Sequence, residues 1–313
     1  MSKSLFFSVH GELVEPQKNS FARGSSYKAF IGSTAQTAIS MPKMKEMKNT
    51  EMTNERIKKV KKLREPKERA EKRLFLIEGV RLLEEAVKEE ADIEEVLFTE
   101  KLGDSVRGSH ILASLRKMDI QTSQIPEKVM DALSETETPQ GITAVVKQLN
   151  WGFKDMTEER KTVVIACGLQ DPGNLGTIIR TADAGGCGGV ITTNNAVDAY
   201  NHKVIRATMG SIFRMPVVKV ADRKDIISEL KKAGYQIIAT TAHSRSSYLD
   251  IDYTKPSALL IGQEGSGISE EWLESADFKA FIPMKEGVES LNAAVSASIM
   301  IYEAFRQRLM QRL

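Results

Sequence analysis

Between residues 54 and 148, short apolar runs alternate with segments of helical period. RLFLIEG, IEEVLFTE, DIQTSQI and ITAVVKQ read as strands. GVRLLEEAVKEEA and VRGSHILASLRKM repeat apolar residues at helical spacing, and PEKVMDALSE reads as a short helix whose proline suits a first turn. Ahead of them, Ile57, Val60 and Leu63 recur at helical spacing within NERIKKVKKLREPKERAEKR. Strands alternating with helices predict a compact α/β domain over residues 51–149.

The polar segment at 150–160 reads as a linker, and the alternation resumes over 161–313. TVVIACGL, GGVITT, MPVVKV, QIIATTA, SALLIG and KAFIPM are strand candidates. TIIRTADAGG, HKVIRATMGSIF and DRKDIISELKKAG are helix candidates, the last with Asp222 as N-cap and Gly234 as its stop. A final helix from about Leu291 sets Leu291, Val295, Ile299, Tyr302, Phe305 and Leu309 along one apolar stripe, suited to a core or to a partner subunit. The prediction is a mostly parallel sheet with helices on its faces, whose ligands sit at the carboxyl ends of the strands. Residues 1–50 keep no sustained period and read as a flexible tail or a start assigned too early. LFFSV is too short for a secretory signal, and Glu12 and Glu15 argue against an organelle transit peptide.

Composition refines this picture in three places. Over 313 residues, 41% hydrophobic and 27% charged content describes a folded chain with room for two domains, and no uninterrupted apolar run reaches spanning length. Net charge is only +2, yet residues 54–73 hold ten Lys/Arg against four Asp/Glu. Arg56, Lys58, Lys59, Lys61, Lys62 and Arg64 are therefore candidate phosphate contacts, against the plainer reading of a solvated helix face. Cys167 and Cys187 lack ligand spacing and read as buried, reduced thiols of a cytosolic protein; His10, His110, His202 and His243 are scattered, so no metal is expected.

Three loops follow apolar strands and are expected to gather at one sheet edge. They are Asp171–Gly176, followed by Arg180; Gly262–Gly267; and Ile282–Asn292. A nicotinamide-binding turn would need GxGxxG with an acid closing the next strand, and the first loop supplies only Gly173 and Gly176. A GxxxxGK[ST] phosphate loop is absent as well.

Taken together, NLGTIIR, IGQEGSGIS and IPMKEGVESLNAAVSAS resemble the three ordered motifs of the SpoU/TrmH family of RNA 2'-O-ribose methyltransferases. VDAYNHKVIRATMGSIFRMPV, and RLFLIEGVRLLEEA with TPQGITAVV, extend the likeness over roughly residues 54–310. The resemblance implies an N-terminal ribosomal-protein-like α/β RNA-binding domain and a C-terminal domain closed by a trefoil knot. It also implies S-adenosylmethionine as methyl donor and a homodimer. Ribosomal RNA is favoured as substrate over transfer RNA, and a noncatalytic RNA-binding or assembly factor is the alternative from another class.

By the same resemblance Asn174, Arg180, Glu264, Ser290 and Asn292 are candidate catalytic residues, and Gly262, Gly267, Ile282, Met284 and Leu291 candidate donor-binding residues. Arg180 is expected to stabilise charge on the ribose oxygen and orient a phosphate, because a guanidinium stays protonated; the proton's acceptor is left open. Arg206 and Thr208 fall where the family has a helix near substrate and partner. Gln263, and Glu286 with Gly287, depart from the common pattern; the latter pair puts a carboxylate beside the expected donor loop.

Overall fold

The structure is a computed structural model that describes residues 54–159, 161–263 and 265–311. The proposed tail, residues 1–50, and the candidate Glu264 lie outside the described residues. In chain order the first elements are α1 (Asn54–Lys62), α2 (Pro66–Lys72), β1 (Leu74–Glu78), α3 (Val80–Lys88), β2 (Ile93–Phe98), α4 (Glu100–Gly103), α5 (Val106–Lys117), β3 (Thr122–Gln124), α6 (Glu127–Leu133) and β4 (Ile142–Lys147). The four strands form one sheet, ordered β1-β4-β2-β3. Alternation sorts their side chains: Phe75, Ile77, Val96 and Phe98 join one core, while Leu97 and Val145 join Val60, Leu63, Met130 and Leu133 on the other face. Pro126 is the N-cap of α6 rather than its first helical residue.

A second series follows: α7 (Phe153–Thr157), β5 (Val163–Ala166), α8 (Pro172–Ala184), β6 (Gly189–Thr193), α9 (His202–Thr208), β7 (Val217–Val220), α10 (Arg223–Lys232), β8 (Gln236–Thr240), β9 (Ser257–Ile261), α11 (Glu270–Leu273), β10 (Phe278–Ala280) and α12 (Ala293–Met310). The sheet order is β10-β8-β9-β5-β6-β7, and every pairing is parallel. Val164, Ala166, Ile238 and Leu259 face one core; Val163, Ile165, Ile237 and Leu260 face the other. The Asp222 cap is present, accepting from the Lys224 amide at 2.6 Å, and Gly234 ends α10 at φ +80°.

Three expectations change. Segment 150–160 is not a bare linker: α7 lies within it, and Met156 is buried so closely that a Cβ on Gly189 would stand 2.4 Å from its Cγ. Asp171–Gly176 is not a loop either. Asp171 caps α8, accepting from the Asn174 amide at 2.7 Å, and Pro172 takes the first turn, where its missing N–H costs nothing. The stripe read on the last helix is not its buried face: Val295, Tyr302, Phe305 and Leu309 are exposed, Tyr302 by 49%, and Leu291 precedes the helix, while Ala294, Ala297, Met300, Ile301 and Ala304 are buried instead.

Charged and aromatic side chains join the two sheets. Arg69, only 3% exposed, reaches Asp198 at 2.6 Å and donates also to the carbonyls of Leu63 and Arg64. Phe75 packs against Tyr200 with ring centroids 4.8 Å apart and planes tilted by 44°, and lies 6.3 Å from Phe213. Arg214 bonds Asp183 of α8 at 2.8 Å and Glu85 of α3 at 3.1 Å. A single buried cluster thus runs from Phe75 and Leu83 through Leu175 to Met300.

Candidate functional site

β8, β9 and β10 end side by side, and their last residues, Thr240, Ile261 and Ala280, all line a cavity of about 350 Å³. That volume lies within the range of about 300–1,000 Å³ found for small-molecule sites. Gly262, Gly267, Ile282, Met284 and Leu291 all line it, with Ser290. Residues from two distant loops thus converge on one space.

The first of those loops is closed by paired backbone bonds and by the Gln263 side-chain amide, which donates to the Ser266 hydroxyl. Gln263 and Gly267 exchange amide–carbonyl hydrogen bonds at 2.9 and 3.2 Å, and Gly267 sits at φ +65°, where a side chain would be strained. At Gly262 a Cβ would fall 2.3 Å from the Gly267 carbonyl carbon, so only glycine permits this approach.

Asn292 closes the second. Its Oδ1 accepts from the amides of Ala294 and Val295 at 2.9 and 3.2 Å, capping α12, while its Nδ2 donates to Asn174 Oδ1 at 2.9 Å. One side chain therefore ties the cavity's rim to the start of α8. Arg180 is exposed on α8, on the face shared with Gly173 and Thr177, and among the described residues it has no carboxylate partner. A Cβ on Gly176 would stand 2.4 Å from the Ala207 Cβ, so α8 and α9 cross at glycine distance.

The cavity's chemistry discriminates between ligands. Ile261, Ile268, Leu273, Ile282 and Leu291 offer apolar walls for a flat heterocycle; Thr240, Thr241, Ser290 and Ser296 offer hydroxyls. No lysine or arginine stands among the described residues that line it, whereas Glu289 does. A phosphate would call for cations or a donor nest, so these walls suit a nucleoside with a positively charged tail. They fit S-adenosylmethionine better than a dinucleotide.

The end of β8, with Thr241, Ala242 and His243, forms a wall that the sequence motifs did not indicate. Its signal was only that β8 is a strand; its place beside β9 emerges from sheet order. Elsewhere the candidates separate. Arg56 is paired with Glu95, and Arg64 with Glu135 at 3.2 Å and the Ser134 carbonyl at 2.6 Å, so both guanidiniums hold the fold together. Lys58, Lys59, Lys61 and Lys62 remain exposed. Thr208 is fully buried and donates to the Ile205 carbonyl at 2.7 Å; Arg206 lies by the seam between the sheets rather than at the cavity. Both cysteines are buried and unpaired in disulfides, and burial pushes the Cys187 thiol up to about 12 and Cys167 higher still. No cluster able to hold a metal ion occurs among the described residues.

Both parts of the chain resemble known proteins. Residues 161–302 match the model of the SpoU rRNA methylase family, and residues 54–144 match an MRM3-like substrate binding domain. The chain is 36% identical over 235 residues to the 23S rRNA (guanosine(2553)-2'-O)-methyltransferase RlmP of Bacillus subtilis, covering 75% of this chain and 90% of that protein. Among solved structures, the SpoU methyltransferase AviRb of Streptomyces viridochromogenes in complex with AdoMet aligns at TM-score 0.74 and 31% identity, covering 82% of this chain and 99% of that one. An AdoMet-bound rRNA methyltransferase from Sinorhizobium meliloti aligns at 0.73 and 32%, covering 82% and 95%.

Proposed function

Because the chain belongs to the SpoU rRNA methylase family, we propose that it transfers a methyl group from S-adenosylmethionine to a ribose 2'-hydroxyl of ribosomal RNA. Residues 161–313 are read as the catalytic domain and 51–149 as the RNA-binding domain. The observation that carries this reading is the cavity itself: all five candidate donor-binding residues line it, and Asn292 ties its rim to Asn174.

S-adenosylmethionine, when bound, supplies an electrophilic sulfonium methyl group. The chain's own residues do the rest. Gly262 and Gly267 let backbone approach the donor closely, Ile282, Met284 and Leu291 contact its apolar surface, and Ser290 contributes a hydroxyl at the rim. Arg180 presents its fork to the acceptor, stabilising negative charge as the ribose oxygen develops it and orienting the neighbouring phosphate. Asn174 and Asn292 fix the start of α8, on which Arg180 is carried. Glu264 joins this set on sequence grounds.

Lys58, Lys59, Lys61 and Lys62 are read as phosphate contacts, which makes binding weaken as salt rises. Val295, Tyr302, Phe305 and Leu309 present an uncovered apolar stripe on α12, supporting a homodimer through that helix. The segment from β10 back to α12, which rejoins the molecule against α8 and β9, is read as the pass that completes a trefoil knot. The reaction is read as cytoplasmic, in keeping with two free thiols; no helix among the described residues is long and apolar enough to cross a membrane.

The test is transfer of labelled methyl from S-adenosylmethionine to purified ribosomal RNA, with transfer RNA in parallel. Arg180→Ala should cut turnover by about 10²–10³-fold, the scale for losing one charge-stabilising donor, while donor affinity stays level. Wild-type protein that binds RNA but transfers nothing would instead indicate an assembly factor.

A further inference from the structure

The four-stranded unit is not merely adjacent to the six-stranded one; it is pinned at two points, one of which acts directly on the helix carrying Arg180. Arg69 Nε and Nη2 both reach Asp198 Oδ2, at 2.8 and 2.6 Å, while Nη1 is held by two backbone carbonyls. Asp198 is itself fixed, since its Oδ1 accepts from the Tyr200 amide at 3.0 Å. At the second point Glu85 of α3 meets Arg214, which also bonds Asp183, one turn beyond Arg180 on α8. Ser211 adds a 2.7 Å hydrogen bond to the same Asp183 oxygen. Approach there is so close that a Cβ on Gly210, at φ +98°, would lie 2.7 Å from the Glu85 Cγ.

From this we propose that the two pins make a gauge of fixed reach between the lysine face of α1 and Arg180, and that Arg69, Asp198 and Arg214 thereby determine which nucleotide is presented for methylation. The inference rests on the reaction proposed above. Its physical basis is separate. A buried ion pair is a poor source of net stability but a strict selector of geometry, because a misplaced charge finds no substitute partner. The apolar cluster across the seam supplies cohesion without direction, whereas a guanidinium whose Nε and Nη1 bond one carboxylate and two carbonyls fixes the register. Arg69, Asp198 and Arg214 are thus positioning residues, touching neither donor nor acceptor.

The experiment replaces the first pin by apolar residues of similar volume, Arg69→Met with Asp198→Leu, which spares the fold the cost of one unpaired buried charge. Lys117→Cys and Lys232→Cys, exposed on α5 and α10, carry spin labels in each background, since the native thiols are buried. The distance distribution between labels should broaden relative to the parent. Donor affinity measured by calorimetry should stay within about twofold. With RNA, KM should hold because the lysine face is intact, while kcat falls on the order of 100-fold or methylation spreads to neighbouring nucleotides, as a displacement of about 1 Å suffices to cause.

An unchanged distribution with the wild-type target and kcat would overturn the proposal. So would loss of donor binding in parallel with kcat, which marks general damage. Should the double variant not fold, Arg214→Gln relaxes the second pin at the half-exposed edge and is read by the same measurements. The distance arm needs no RNA. A wild type without transferase activity but with a pin-dependent distribution would remove the proposed reaction and retain the gauge.

Discussion

At the cavity, close approach is achieved by leaving atoms out; at the seam, it is achieved by filling space with charge and aromatic surface. Gly262 meets the backbone of Gly267 where no Cβ fits, and the described cavity walls carry no lysine or arginine. The seam instead buries a guanidinium, packs Phe75 against Tyr200 and sets Arg214 among three carboxylates, Glu85, Glu89 and Asp183. The difference follows from what each must do. A site that admits and releases a ligand needs shape with few competing partners, whereas a permanent joint needs groups with nowhere else to go.

Substitutions should separate these roles. Arg69→Ala leaves Asp198 half-buried without its partner and should cost about 3–5 kcal/mol, seen as a lower denaturant midpoint, with donor affinity of the folded protein preserved. Leu291→Ala, which trims a half-buried cavity wall, should do the reverse, weakening the donor by roughly tenfold, about 1.4 kcal/mol, in calorimetry while the melting temperature moves less. Asn292→Ala bridges the two classes. It removes a helix cap worth about 1 kcal/mol and the hydrogen bond to Asn174, so stability and turnover should fall together, and Asn292→Asp should restore the cap without restoring turnover.

The smallest effect is a proton at the seam. Burial holds the His202 imidazole below its ordinary value, opposed by the facing Glu135 and reinforced by Lys203, Arg206 and Arg64. The folded chain therefore takes up this proton less readily than the unfolded chain. Its contribution is complete above about pH 6.5 and is lost as pH falls below that value. Melting at pH 7.5 and 5.5 should show the loss, and His202→Gln should flatten it.

Much of this architecture was legible where a local rule decided the outcome. Asp222 and Gly234 bracket α10 as their capping chemistry requires, and two-residue alternation sorted Phe75 from Leu76 and Val164 from Ile165. Asp171 with Pro172 was an equally good helix start; the glycines at 173 and 176 masked it, and the reason for Gly176 lies on α9, out of reach of local pattern. Motif order indicated the cavity's glycines and Leu291. It could not indicate Thr241 and His243, whose wall exists because β8 lies between β9 and β10. A run of positive charge likewise could not distinguish Arg56 and Arg64, whose carboxylate partners come from residues 95 and 135, from the lysines beside them.

The glycine contacts of α8 have a consequence for motion. At one end Gly176 is pressed to α9; at the other a Cβ on Gly185 would strike Ile301 of α12 at 2.4 Å, so the helix rests like a spindle between two bearings. Such a mounting suppresses rocking of the backbone and leaves Arg180 only the torsions of its own side chain with which to search. With Arg180 facing the ribose as proposed, whatever adjustment that sugar demands must occur among those few rotors or within the nucleic acid itself, which would have to bend to meet an unyielding host.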